Sequence, residues 1–320
     1  MLSGRLSCRQ NNIEWGWVMS DLASNVTMAL WATNLGVSVE GLHGWAACVD
    51  HEMAEARRNG ADIFVMPEYA SEQWLAFKPE GLASDREIAW MADLAPEAVD
   101  LAAKLAAKHD MLLVAGSLPW HTDAGQTNRA VILTPEGDRY FQDKLSLTPG
   151  EQEEDAWNLV PGKELQIMQW RGLRFAVLIC LDVEMPALSC LLAPHSPDLV
   201  IVPSMTAQPS GYNRVFGCAK ARAVELMTAV AVVGTTGTAV NSTQNPTNYS
   251  GAAVYIPCEP DLGFDGVFDK MEPGWDDGKA GPLLLARDVP IGTIRKLRSG
   301  EAEVWPGGWS AANVKVIENG

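Results

Sequence analysis

The sequence predicts an α/β fold, on two observations. Apolar runs of strand length alternate with helix-period stretches along most of the chain, the pattern of strands covered by helices. No linker breaks that alternation and no internal repeat is visible, so a single domain is expected. The 320 residues are 47% hydrophobic and 20% charged, enough apolar chain to bury a large core without disulfides.

Residues 1–25 show no period and read as a loosely ordered N-terminal extension, with Met19 a second candidate start. Residues 26–33 (VTMALWAT) alternate and suit a strand. Helical spacing of apolar residues over 42–59 predicts a helix stopped by Gly60. A short apolar strand follows at 63–66, ended by Pro67. Residues 97–109 predict a second helix with Pro96 at its start, and 111–115 and 130–133 two more strands. Between strands, 134–137 (TPEG) reads as a turn. In the second half, strands are expected at 175–179, 199–202, 229–233, 252–256 and 283–286, with a long helix at 215–227. Residues 257–282, rich in Gly, Pro and Asp, read as a long surface loop. These boundaries place the domain at 26–300 and leave 301–320 as a tail suited to forming an interface.

Charge narrows the partners. Twenty-four Lys and Arg against 40 Asp and Glu give a net charge of −16, and the pI is near 4.7. Such a chain repels phosphate backbones and anionic lipid, so neither nucleic acid nor a membrane is an expected partner. No run approaches the ~18 apolar residues of a membrane span. Residues 1–20 hold two arginines but no apolar signal core. Six cysteines are scattered without a C-x-x-C pair and read as free thiols in a reducing compartment, so a cytoplasmic location is expected.

Several chemistries have no motif here. There is no phosphate-binding G-x-x-x-x-G-K-[ST], no G-x-G-x-x-G after a strand, and no G-x-S-x-G elbow. The five histidines never fall four residues apart, so no metal site and no cofactor is expected.

Three polar residues do sit where predicted strands end, the place α/β sheets put chemistry. Glu68 follows 63–67 (IFVMP), Lys144 lies in 140–151 (YFQDKLSLTPGE), and Cys180 follows 174–179 (RFAVLI) and opens 180–186 (CLDVEMP). Alone, each has a bland reading: a turn carboxylate, a solvated lysine, an inert core thiol. Their order and contexts together carry the signal.

That combination resembles the nitrilase superfamily of carbon–nitrogen hydrolases over about residues 26–300. The similarity rests on Pro67-Glu68, on Lys144 through Pro149-Gly150-Glu151, and on Cys180-Leu181-Asp182 through Pro186. Asn128-Arg129 with the apolar strand after it, Ala221 through Glu225 on a helix, and 249–257 (YSGAAVYIP) add to it. Two positions depart from the family pattern: Leu226 stands where Asn is usual, and Met185-Pro186-Ala187 replaces an aromatic-Pro-Glu ending. Cys-Leu-Asp, rather than the Cys-Trp-Glu of nitrile hydrolases, points to amide-type substrates. Segments 144–151 and 212–225 are most similar to members fused to an acyltransferase module, and no such module fits in this sequence.

The resemblance implies a four-layer αββα sandwich pairing as a homodimer through helices on one face, the Arg222–Glu225 helix among them. It implies a cofactor-free thiol amidohydrolase acting on a small-molecule amide. Cys180 would be the nucleophile forming an acyl-enzyme, Glu68 the general base, and Lys144 with the Leu181 backbone N–H the oxyanion stabilisers. Lys144 is also expected to favour the Cys180 thiolate. Glu151 would hold Lys144, with Glu153 and Glu154 as alternatives, and Asp182 would bond turn amides. Tyr69, Ser204, Met205 and Thr206 follow strand ends and are expected to line the pocket. Nitrile or N-carbamoyl hydrolysis, or a catalytically silent scaffold of the same fold, are the competing readings.

Overall fold

Alternation along the strands sets the layers. In β1 (Val26–Trp31), Met28 and Leu30 face one core while Ala29 and Trp31 face another. In β2 (Ile63–Val65), Ile63 and Val65 join the first set and Phe64 the second. Parallel pairing puts Met28, Ile63 and Leu112 of β3 (Leu112–Thr122) abreast, so one face of this sheet is continuous. The structure, a computed structural model, describes residues 24–242, 247–276, 278–307 and 314–318. The extension at 1–23 therefore lies outside the described residues.

The first sheet adds β4 (Gly125–Leu133), β5 (Arg139–Asp143) and, at the other edge, β12 (Leu283–Val289), in the order β12-β1-β2-β3-β4-β5. The second comprises β6 (Met168–Trp170), β7 (Leu173–Val177), β8 (Leu199–Ser204), β9 (Ala229–Gly234), β10 (Ala252–Tyr255) and β11 (Val267–Lys270), ordered β11-β10-β9-β8-β7-β6. In both, the central three strands run parallel and are apolar on both faces, as parallel strands covered on each side must be.

Helices cover the outer faces. α1 (Gly41–Arg58) and α2 (Glu87–His109) pack Trp45, Val49, Met53, Met91, Ala98 and Ala102 against the first sheet. α5 (Pro209–Glu225) packs Val215, Phe216, Ala219 and Ala223 against the second, beyond the short α3 (Pro149–Gln152) and α4 (Pro186–Leu192). The result is the expected αββα sandwich. α6 (Ile291–Lys296) follows β12, and the Trp305 indole in the tail donates to the Glu225 carbonyl at the end of α5. Among the described residues no helix is long and apolar enough to cross a membrane.

Three expectations need correcting. α2 begins ten residues before the predicted 97, and Pro96 lies inside it. A proline there forfeits one hydrogen bond, but the turns before it bury Ile88, Met91, Ala92 and Ala95, and that burial outweighs the local penalty. Helix α5 likewise starts at Pro209, six residues early, its first turn holding Ser, Gly and Asn that mask the period. The stretch 257–282 is not wholly loop: β11 pairs antiparallel with β10 as an edge strand.

Candidate active site

The central strands deliver their last residues to one end of the sandwich. Glu68 stands three residues past β2, and the turn carrying it crosses β3 closely. That approach requires Gly116. At φ +69° it sits in the left-handed region, and a Cβ there would fall 2.0 Å from the Pro67 carbonyl oxygen. Next in the chain, Tyr69 adopts φ 51° and redirects the backbone into the 3₁₀ turn Ala70–Phe77.

Lys144 follows β5, its N–H donating to the Asn128 carbonyl of β4 at 2.8 Å. Its ammonium is buried and lies 2.8 Å from Glu68 Oε1 and 2.7 Å from Glu151 Oε2. Glu151 has a second duty in the capping box that starts α3: Thr148 N–H donates to Glu151 Oε2 at 2.8 Å, and Thr148 Oγ1 accepts from the Glu151 N–H. The cap thus fixes the carboxylate that holds the lysine. Glu153 and Glu154, the alternatives for that role, are exposed. Asn128, fully buried, donates to Glu68 Oε1 at 2.8 Å and to Glu151 Oε1 at 3.1 Å.

Cys180 opens the 3₁₀ turn Cys180–Glu184 with φ 47°, unusual for a residue with a Cβ and costing roughly 1–2 kcal/mol. Asp182 holds this turn, accepting the Ile179 N–H at 3.1 Å. It also accepts the N–H groups of Leu145 and Ser146, at 3.1 and 2.7 Å, so one carboxylate ties the cysteine turn to the lysine loop. Arg222 braces it from behind by donating to the Val183 carbonyl at 3.0 Å. The first bond of the turn runs from Asp182 N–H to Ile179 C=O, so Leu181 N–H has no acceptor within it. The thiol lies against the Glu68 carboxylate and 3.6 Å from the Met205 carbonyl oxygen.

Burial dominates the electrostatics. It raises the Glu68 carboxyl above the ordinary range, with Lys144 opposing and Glu151 adding to the rise. Burial would lower Lys144, but the two carboxylates more than reverse that and hold it firmly cationic. Burial, then the Glu68 charge, push Cys180 well above the usual thiol value, and Lys144 offsets only part. Lys144 does pull the thiol in the direction expected of it, towards the thiolate, but burial and the Glu68 charge outweigh that pull. Nearby, Glu72 is fully buried with a pKa raised to about 8 by burial and by the charges of Glu87 and Glu68.

The carbon-nitrogen hydrolase family pattern matches residues 5–258. This chain belongs to the carbon-nitrogen hydrolase family. A probable hydrolase of Bacillus subtilis, YhcX, is 25% identical over 251 residues, covering 77% of this chain and 48% of that protein. The omega-amidase YafV of Escherichia coli K12 is 28% identical over 131 residues, covering 41% and 46%. The chain thus spans about half the length of these curated relatives. An amidase from Nesterenkonia sp. AN1, solved with butyramide, superposes with a TM-score of 0.65 at 22% identity, over 87% of this chain and 95% of that one. Another structure of that amidase shows covalent addition of the acetamide moiety of fluoroacetamide at its active-site cysteine.

In this member of the family, Glu68, Lys144, Glu151 and Cys180 converge on a cavity of about 300 Å³. Of the expected pocket residues, Tyr69 and Met205 line it. Ser204 and Thr206 are not in its wall. The Ser204 hydroxyl donates to the Val233 carbonyl at 3.0 Å, and that of Thr206 to the Tyr249 carbonyl at 2.7 Å. Trp157, unforeseen, packs edge-to-face on Tyr69 with ring centroids 4.6 Å apart. Asn128 enters the sequence reading only within the Asn128-Arg129 motif, because Gln126, Thr127 and Arg129 beside it in β4 are polar too and hide it. Among the described residues no group of three or more His, Cys, Asp or Glu is placed to hold a metal.

Proposed function

We propose that the chain is a thiol amidohydrolase that opens a small, non-peptide amide through a Cys180 acyl-enzyme. The observation carrying this reading is the placement of Glu68, 2.8 Å from Lys144 and lining the same open cavity as Cys180. A neutral thiol beside a carboxylate is suited to attack coupled with proton transfer.

As Cys180 Sγ bonds to the carbonyl carbon, its proton passes to Glu68. The carbonyl oxygen becomes an oxyanion facing Lys144 and the Leu181 N–H, donors of a kind worth about 10²–10³-fold each. Glu68 then returns the proton to the nitrogen, the C–N bond breaks, and the amine leaves. Water, giving a proton to Glu68, attacks the thioester; the C–S bond breaks, the acid is released, and Glu68 returns the proton to the departing sulfur, restoring the free thiol. Family membership and the amidase relatives support this assignment. A silent scaffold would not need four ionisable side chains held at such distances in a site open to solvent.

Ammonia release from a panel of amides, N-carbamoyl compounds and nitriles is the test. Amides should be turned over, Cys180→Ala should abolish turnover with the fold retained, and Cys190→Ala, at an exposed thiol, should change little. Wild-type turnover by Cys180→Ala refutes the reading.

A further inference from the structure

We infer that the site takes amides whose acyl group is uncharged and apolar and rejects those carrying a carboxylate; this rests on the amidase reading above. Charge around the cavity supplies the first reason. Among the described residues that line it, Lys144 is the only cation, and two carboxylates at 2.7–2.8 Å already claim it. With Cys180 a neutral thiol, Glu68, Glu151 and Lys144 sum to one negative charge. The loop forming the wall from Glu151 to Trp157 also carries the exposed Glu153, Glu154 and Asp155.

Cations adjacent in sequence to site residues are committed elsewhere. Arg129, next to Asn128, forks onto Asp143 at 2.7 and 2.8 Å. Arg222, behind the cysteine turn, bonds Val183 and Glu225. A substrate carboxylate entering this cavity would lose water and find no ammonium or guanidinium to replace it. At roughly 6 Å from the net charge and an effective dielectric near 20, repulsion lowers kcat/KM by about a hundredfold.

The second reason is the apolar part of the lining. Tyr69 and Trp157 meet edge-to-face, and Met205, Ala156 and Ala207 add apolar surface to the same cavity. An aliphatic chain lying there gains about fourfold in kcat/KM for each methylene it buries.

Three amides with the same number of non-hydrogen atoms separate these effects: 4-methylpentanamide, succinamide and succinamate. Their ends are an isopropyl group, a neutral amide and a carboxylate. Ammonia release from the intact enzyme should give kcat/KM in that order, with succinamate about a hundredfold below succinamide per amide group. A gap under tenfold between those two overturns the charge exclusion. Succinamide matching or exceeding 4-methylpentanamide overturns the apolar preference. Both results leave amide hydrolysis standing, whereas no ammonia from any of the three overturns the amidase reading and this inference with it.

Discussion

Asn128 donates a side-chain N–H to Glu68 Oε1 at 2.8 Å, the same oxygen that Lys144 Nζ approaches at 2.8 Å. Two donors on one oxygen fix the orientation of the carboxylate. The amide also stabilises the charged form of Glu68, so removing it should raise the Glu68 pKa further. For Asn128→Ala we expect kcat/KM to fall about 10- to 100-fold and its acid limb to move up by about half a pH unit or more. A pH profile that overlays the wild type would show that Asn128 only fills space.

The wild-type profile has its own sign. Glu68 must be a carboxylate to accept the thiol proton, and burial lifts its pKa above the 4.5 of a free glutamate. Activity should therefore be lost as pH falls through a midpoint above 4.5. Because the thiol titrates well above its ordinary value, no rise from thiolate formation should appear near pH 8–9. A kcat/KM profile climbing steeply there would mean that a free thiolate attacks.

Glu72 couples pH to stability. Its pKa in the folded chain, about 8, lies far above the 4.5 of a free glutamate. Below the lower value both states hold the proton; between the two the unfolded chain releases it while the folded chain keeps it, so stability falls as pH rises, levelling off above about 8. Glu72→Gln removes this slope. Thermal unfolding should show the variant gaining a few °C over wild type at pH 8 and much less at pH 5. A constant difference across that range contradicts the assignment.

Gly116→Ala tests the turn beneath Glu68. A Cβ at 2.0 Å from the Pro67 oxygen forces backbone to move, whereas Gly60, at φ +85°, has nothing within 4 Å of its own Cβ position. Gly60→Ala should cost only the left-handed strain, about 1–2 kcal/mol. Gly116→Ala should lower the melting temperature clearly more and depress kcat/KM as well. Equal losses in the two variants would remove Gly116 from the account.

What could be read from the sequence divides along physical lines. Central strands such as 199–202 and 229–233 were legible because strands buried on both faces are continuous apolar runs. Glu68, Lys144 and Cys180 were legible because each immediately follows such a run or sits in a distinctive segment. Edge strands β5, β6 and β11 were not, being short and partly polar with only one neighbour to satisfy. Helix α2 hid its first turns behind Pro96, since packing of Met91 and Ala95 overrides a local penalty no window can weigh. Ser204 and Thr206 follow strand ends as pocket residues do, but only the fold reveals that their hydroxyls bond main-chain carbonyls. Trp157 sits in an acidic loop whose path over Tyr69 depends on the cap at Thr148 and Glu151.

The claim that Glu68 serves Cys180 twice, in acylation and in hydrolysis of the thioester, is tested most directly by mass spectrometry of Glu68→Gln. Gln keeps the size and removes the base. An activated acyl ester needs little help with its leaving group, so Cys180 should still be acylated, and without a base the thioester should persist. The peptide containing Cys180 should gain the mass of one acyl group, and that gain should vanish when Cys180 is also replaced by Ala. An unmodified Cys180 peptide together with near wild-type amide turnover by Glu68→Gln would contradict the account.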